Sequence, residues 1–127
     1  MNKRIILTAA VFGLIGVILG AFGAHGLEGK VSDKSLDNWK TAVDYQFYHT
    51  LALLFLATFS RAKNNLINIA YFSFTIGILL FSGSLYLLST REITSISTAM
   101  LGPITPIGGM FFIIGWIGLF LATIRHR

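Results

Sequence analysis

The stretch "TAVDYQFYHTLALLFL", residues 41–56, starts as a water-facing helix starts and finishes as a lipid-facing one finishes. Asp44, Gln46 and His49 fall in its first turns, and from Leu51 to Leu56 every side chain is apolar. A helix needs roughly 20 largely apolar residues to cross the hydrocarbon core of a bilayer. Four stretches of the chain meet that requirement, at about 5–24, 42–60, 66–88 and 104–123. The polar start of the second is then the exception that needs a reason.

Composition points the same way. The chain has 127 residues, 54% hydrophobic and only 12% charged. Soluble domains carry about 25% charged residues, and a soluble fold this small has a large surface to cover with polar groups. The formal net charge is +5, but the charges sit in short clusters between apolar runs. They act as topology signals and give no nucleic-acid footprint. With no cysteine, disulfides, thiolate metal sites and cysteine nucleophiles are excluded.

The expected architecture is all-α and membrane-embedded: one domain over residues 1–127, folded as an antiparallel bundle of four transmembrane helices. Segments two and three are joined by "RAKNN", 61–65, short enough for a hairpin between antiparallel neighbours. The first segment has a rival reading as a secretory signal peptide, but its apolar run of about 20 residues exceeds the 7–15 of a signal core. Lys3, Arg4, Arg61, Lys63, Arg125 and Arg127 collect on one side with no acid among them. The other side holds Lys30, Lys34, Lys40 and Arg91 together with Glu28, Asp33, Asp37, Asp44 and Glu92. The positive-inside rule then places both termini in the cytoplasm.

The connection "LEGKVSDKSLDNWK", 27–40, carries its own helix signal. Ser32 or Asp33 is a fit N-cap, and Leu36, Trp39 and Val43 follow at helical spacing. Helix two is therefore expected to start outside the lipid, with Trp39 at the headgroup level. In "GPITPIGG", 102–109, Pro103 and Pro106 lack amide hydrogens and suit the first turn of a helix. They mark the start of helix four, a re-entrant entry being the alternative.

Within lipid, helices associate by close packing, for which small residues are suited. Gly13, Gly16, Gly20 and Gly23 recur along one face of helix one, with a G-x-x-x-G at 16–20. Helix three offers Gly77, and helix four Gly108 and Gly115. Packing within the chain is the expected use, although a G-x-x-x-G also permits a homodimer.

The same topology carries the unusual residues to the outer half of the bundle. His25 ends helix one; Asp44, Tyr45, Gln46, Tyr48 and His49 begin helix two; Ser82 and Ser84 end helix three; Thr105 opens helix four. Ionisable groups at membrane depth cost about 2.5–3.5 kcal/mol or more and usually face the bundle interior. One reading makes these residues an outward-opening polar pocket; the other has them satisfy one another and pin helix register.

The blocks "GAFGAHGL", "WKTAVDYQFYHTLALL", "FSGSLYLL" and "LGPITPIGG", followed by "GW" at 115–116, resemble a family of small bacterial inner-membrane proteins. It is known as domain of unknown function 423, or uncharacterised protein family 0382, and is similar to a mitochondrial transmembrane group in eukaryotes. The likeness covers nearly the whole chain, in order. It implies a multi-pass protein of the bacterial cytoplasmic membrane and brings no activity, substrate, cofactor or catalytic residue with it.

Three functional classes follow. The first is a non-enzymatic membrane component, partnered by the bilayer and by a second copy or another membrane protein. The second is a small transporter or proton-coupled carrier using the polar cluster. The third is a haem-binding bundle with His25 and His49 as axial ligands, which their different depths disfavour. No H-E-x-x-H, G-x-S-x-G or phosphate-binding loop marks an enzyme, and no metal or cofactor is expected.

Overall fold

The computed structural model describes residues 2–59 and 65–125, and every regular element among them is helical. Helix α1 spans Lys3–His25 and α2 spans Asp33–Thr58. Helix α3 spans Asn65–Ser89, α4 is a single turn at Arg91–Thr94, and α5 spans Ile104–Arg125. The expected hairpin at "RAKNN" and the positions of Arg61, Lys63 and Arg127 lie outside the described residues.

Local chemistry sets the helix starts. The Asn2 side chain accepts the Ile5 amide at 3.3 Å, and the Ser32 hydroxyl accepts the Ser35 amide at 3.1 Å. Each satisfies one of the donors a helix N-terminus leaves unpaired. Pro103 directly precedes α5 and Pro106 lies in its first turn, where a missing amide hydrogen costs no bond.

Helix α3 is interrupted by a π turn at Ile78–Ser82. The wider turn holds one extra residue, so Gly83–Ser89 is rotated by about 100° from the register that Asn65–Gly77 would have continued. The two halves of α3 thereby present different faces to their neighbours.

By length and composition α1, α3 and α5 are apolar enough to cross a membrane. Helix α2 is longer than any of them, but Asp33, Lys34, Asp37, Lys40 and Asp44 fill its first turns. Its apolar part begins only at Leu51.

Helix α1 packs along α2, α5 packs along α3, and α2 and α3 pack on each other between them. Glycines set the close approaches. Gly16 faces Phe47 and Gln46, and Gly20 faces Val43, so the G-x-x-x-G is used within the chain. Gly13 faces Thr50 more loosely. On the other flank Gly77 sits against Phe112, Gly115 against Phe74, and Gly108 against the backbone of Phe81. A single core unites Ile5 and Ala9 of α1, Leu53, Leu56 and Ala57 of α2, Ile67, Ala70 and Phe74 of α3, and Ala122 of α5. That core occupies the end of the molecule where α1 begins and α5 finishes.

Trp39 has a fixed place within the helix array. It is buried in the notch left by Gly23, between helices. Its indole N–H donates to the Leu19 carbonyl at 2.8 Å, and its ring lies 4.6 Å from that of Tyr86. A donor this far inside the helix array needs a fixed acceptor, and the glycine notch brings one within reach.

Candidate functional site

Gln46 occupies the contact between α1, α2 and α3. Its side-chain amide donates to the Phe12 carbonyl at 2.7 Å, and its oxygen accepts the Tyr86 hydroxyl at 2.6 Å. One buried side chain thus joins three helices, with donor and acceptor both engaged.

His49, three residues on, faces a different neighbour. Trp116 of α5 donates its indole N–H to His49 Nε2 at 3.0 Å, and His49 Nδ1 lies 2.7 Å from the Tyr45 carbonyl. An indole nitrogen can only donate and a carbonyl can only accept. The imidazole is therefore neutral, with its hydrogen on Nδ1. Its ring is stacked on Phe112 at 3.5 Å and 8°. Nε2 is taken by Trp116, while His25 stands exposed at the end of α1. Two histidines so placed do not form an axial pair for haem.

Hydroxyls also bond between helices. Ser82 donates to the Ala42 carbonyl at 2.7 Å, linking α3 to α2. Ser84 and Thr105 share a hydrogen bond of 2.6 Å between α3 and α5. Ser82, Ser84 and Thr105 lie toward the end where α5 begins, whereas Gln46 and His49 sit at mid-height, their partners Phe12 and Trp116 falling near the middle of α1 and α5.

They do not line one pocket. Gln46 points to the α1–α3 side and His49 to α5. Asp44 is exposed over a small cleft of about 120 Å³ between α1 and α2, lined also by Gly20, Gly23, Trp39 and Lys40. Tyr45 and Tyr48 flank His49 on the outer surface, their rings 5.6 Å apart. Tyr45, Tyr48 and His49 share a groove with α5, while Gln46, Ser82 and Ser84 are taken up in interhelical bonds, because successive polar residues of α2 point to different neighbours. Among the described residues, no buried side-chain nitrogen or oxygen lacks a hydrogen-bond partner.

Two contacts here were not read from the sequence. The first is that of Trp116, a donor-only indole in a membrane helix, which calls for an acceptor without naming it. The second is a clasp between distant segments. Glu92 accepts the Ser32 amide at 2.8 Å and the Ser35 hydroxyl at 3.0 Å. A carboxylate from α4 thus caps the N-terminus of α2, where the helix dipole favours negative charge. The donating Ser32 amide holds the Glu92 carboxyl below the usual carboxylate range, with Ser35 and the neighbouring Arg91 acting in the same direction. No local pattern links residues so far apart in the chain.

Comparison with known proteins gives one consistent result. The sequence profile of the family described as "Protein of unknown function (DUF423)" matches residues 19–109. A UPF0382 membrane protein of Staphylococcus aureus is 46% identical over 97% of each chain. The UPF0382 membrane protein YwdK of Bacillus subtilis is 44% identical over 98% of each, and that of Staphylococcus haemolyticus is 43% identical over 97% of each. No solved structure matches. Its apolar helices and its relatives agree: the chain belongs to the UPF0382 family, with its DUF423 domain, and is a multi-pass membrane protein.

Proposed function

We propose that the protein is a non-enzymatic component of the bacterial cytoplasmic membrane whose outer polar cluster fixes the helices against one another and performs no chemistry. The observation that carries this reading is the complete pairing of buried polar side chains among the described residues. A reactive or proton-carrying group needs a free position, and both nitrogens of His49 are engaged by the protein. Interhelical hydrogen bonds of this kind pin register in membrane bundles.

In this reading α2 is a fourth crossing, in an antiparallel four-helix bundle with both termini in the cytoplasm. Its 26 residues measure about 39 Å, against roughly 30 Å of hydrocarbon. Its charged first turns then stand in the outer headgroup layer. The shared core of Ile5 and Ala122 supports a common end for Lys3, Arg4 and Arg125, as the positive-inside rule requires. The protein acts by association, with a second copy or with another membrane protein.

The absence of cysteine makes the topology directly testable. A membrane-impermeant maleimide applied to intact cells should label Asp33→Cys and leave Lys3→Cys unlabelled. The reverse pattern overturns the orientation. Proteoliposomes should show no proton or organic-cation flux above protein-free vesicles, and His49→Ala should behave like the parent. A flux abolished by His49→Ala would overturn the reading and establish the carrier in its place. Purification in mild detergent should yield an oligomer or a stoichiometric partner; a clean monomer counts against association.

A further inference from the structure

The groove between α2 and α5 is unused by the role proposed above. It has a volume of about 400 Å³ and is open on one side, within the usual range for small-ligand sites. Its floor is a run of ring contacts, each ring inclined to the next by 29° or less, while the two ends of the run, Phe81 and Phe112, are tilted by 55°. His49 lies 8° from Phe112, Tyr45 lies 25° from His49, and Phe81 lies 29° from Tyr45. Its walls are tilted from that floor: Tyr48 by 58° against Tyr45 and Trp116 by 65° against His49. Tyr48 is 56% and Trp116 46% exposed, so both present free ring surface. Gly109 leaves the α5 rim without a side chain.

The charge pattern decides the occupant. No lining residue carries a charge, since the bonds of His49 fix it in the neutral form. Each aromatic face is electron-rich. Three part-exposed aromatic rings, Tyr45, Tyr48 and Trp116, lining one uncharged recess are electrostatically complementary to a cation that can give up its water. A metal ion is not such a cation, and among the described residues no group of three His, Cys, Asp or Glu could hold one. A quaternary ammonium is weakly hydrated and spreads its charge over methyl groups that fit against rings. We propose that the α2–α5 groove binds a small lipophilic organic cation of the quaternary-ammonium class through cation–π contacts with Tyr45, Tyr48 and Trp116.

Binding makes no demand on transport, so the test is independent of whether anything crosses the membrane. The full chain, labelled isotopically at tryptophan and held in lipid nanodiscs, should give separate indole N–H resonances for its two tryptophans. Trp116 lines the groove and Trp39 lies against α1, so Trp39 is an internal control. Titration with benzyltrimethylammonium should shift the Trp116 resonance and leave Trp39 in place. Its uncharged isostere, neopentylbenzene, should bind about tenfold more weakly at matched membrane concentration, the ratio expected of partly desolvated cation–π contacts. Tyr48→Leu removes one wall and should weaken the cation about fivefold, whereas Tyr48→Phe should retain most of the affinity. Equal affinity for the two compounds would make the groove a merely apolar crevice and overturn the proposal. So would equal shifts of both tryptophans, an unmoved Trp116 at saturating cation, or a Tyr48→Leu protein that binds as the parent does.

Discussion

The two ends of this molecule are held by different forces. Near the chain termini Ile5, Leu53, Leu56, Ala57, Ala70 and Phe74 are buried with few polar groups among them. From mid-height to the opposite end, Trp39, Gln46, His49, Ser82 and Ser84 bridge helices by hydrogen bonds. Lipid is as apolar as leucine, so the first end depends mainly on close fit, helped by a 2.7 Å bond between the hydroxyls of Thr8 in α1 and Tyr71 in α3. The second adds direction: a hydrogen bond fixes rotation and register, which stacked aliphatic side chains leave less defined. An aliphatic core thus supplies bulk cohesion, and the polar end specifies which faces meet.

Breaking the packed end should cost most. Leu56→Ala leaves a cavity at a fully buried site, and about 2–5 kcal/mol of stability should be lost, read from unfolding in mild detergent. Gly108→Ala tests close approach on the α3–α5 flank. The added carbon meets the backbone of Phe81, which cannot turn aside, so a loss of about 1–3 kcal/mol is expected by the same measurement. Gly83→Ala is its control, because nothing lies near that position, and its stability should be unchanged.

The hydrogen-bonded end should yield less energy and more disorder. Gln46→Leu removes the bonds to Phe12 and Tyr86, for an expected loss of about 1–2 kcal/mol. Amide exchange should rise along α1 near Phe12 and along α3 near Tyr86, but not at Leu56. A uniform rise would show that the two ends are one cooperative unit and erase the distinction drawn between them.

The smallest effect should come from the Glu92 clasp. Its carboxyl titrates lower in the folded protein than in the unfolded chain. Its stabilising contribution is therefore complete above the ordinary carboxylate range and is lost as pH falls through the lowered value. Protection of the amides at the start of α2, taken relative to the intrinsic exchange rate at each pH, should fall on acidification in the parent. Glu92→Gln should show the lower protection already at neutral pH and little further change on acidification. Protection that is independent of pH in the parent would remove the clasp as a meaningful contact.

Much of the secondary structure could be read locally. The Ser32 cap, the start of α5 at the two prolines, and the extents of α1 and α3 follow from hydropathy and backbone chemistry within a few residues. The glycine faces were legible too, because they recur at helical spacing. The π turn was not: "ILLFS" holds no signal that separates a wider turn from an ordinary one. The polar residues were legible one by one but not as an arrangement. Gln46 and His49 differ by only about 60° around α2, yet one is committed to α1 and α3 and the other to α5. The partner of Trp39 was not legible either: the Gly23 notch brings the Leu19 carbonyl within its reach.

From the sequence alone came a helical membrane protein, its candidate spans and the polar residues that interrupt them. Those depend on hydrophobic run length, capping and periodicity, which act between near neighbours in the chain. Only the tertiary structure decided that Trp116 serves His49, that Tyr86 serves Gln46, and that Glu92 caps a helix some sixty residues away. Each of those bonds is directional and short-ranged, so its partner is set by the rotation and register of whole helices, which no local stretch of sequence contains.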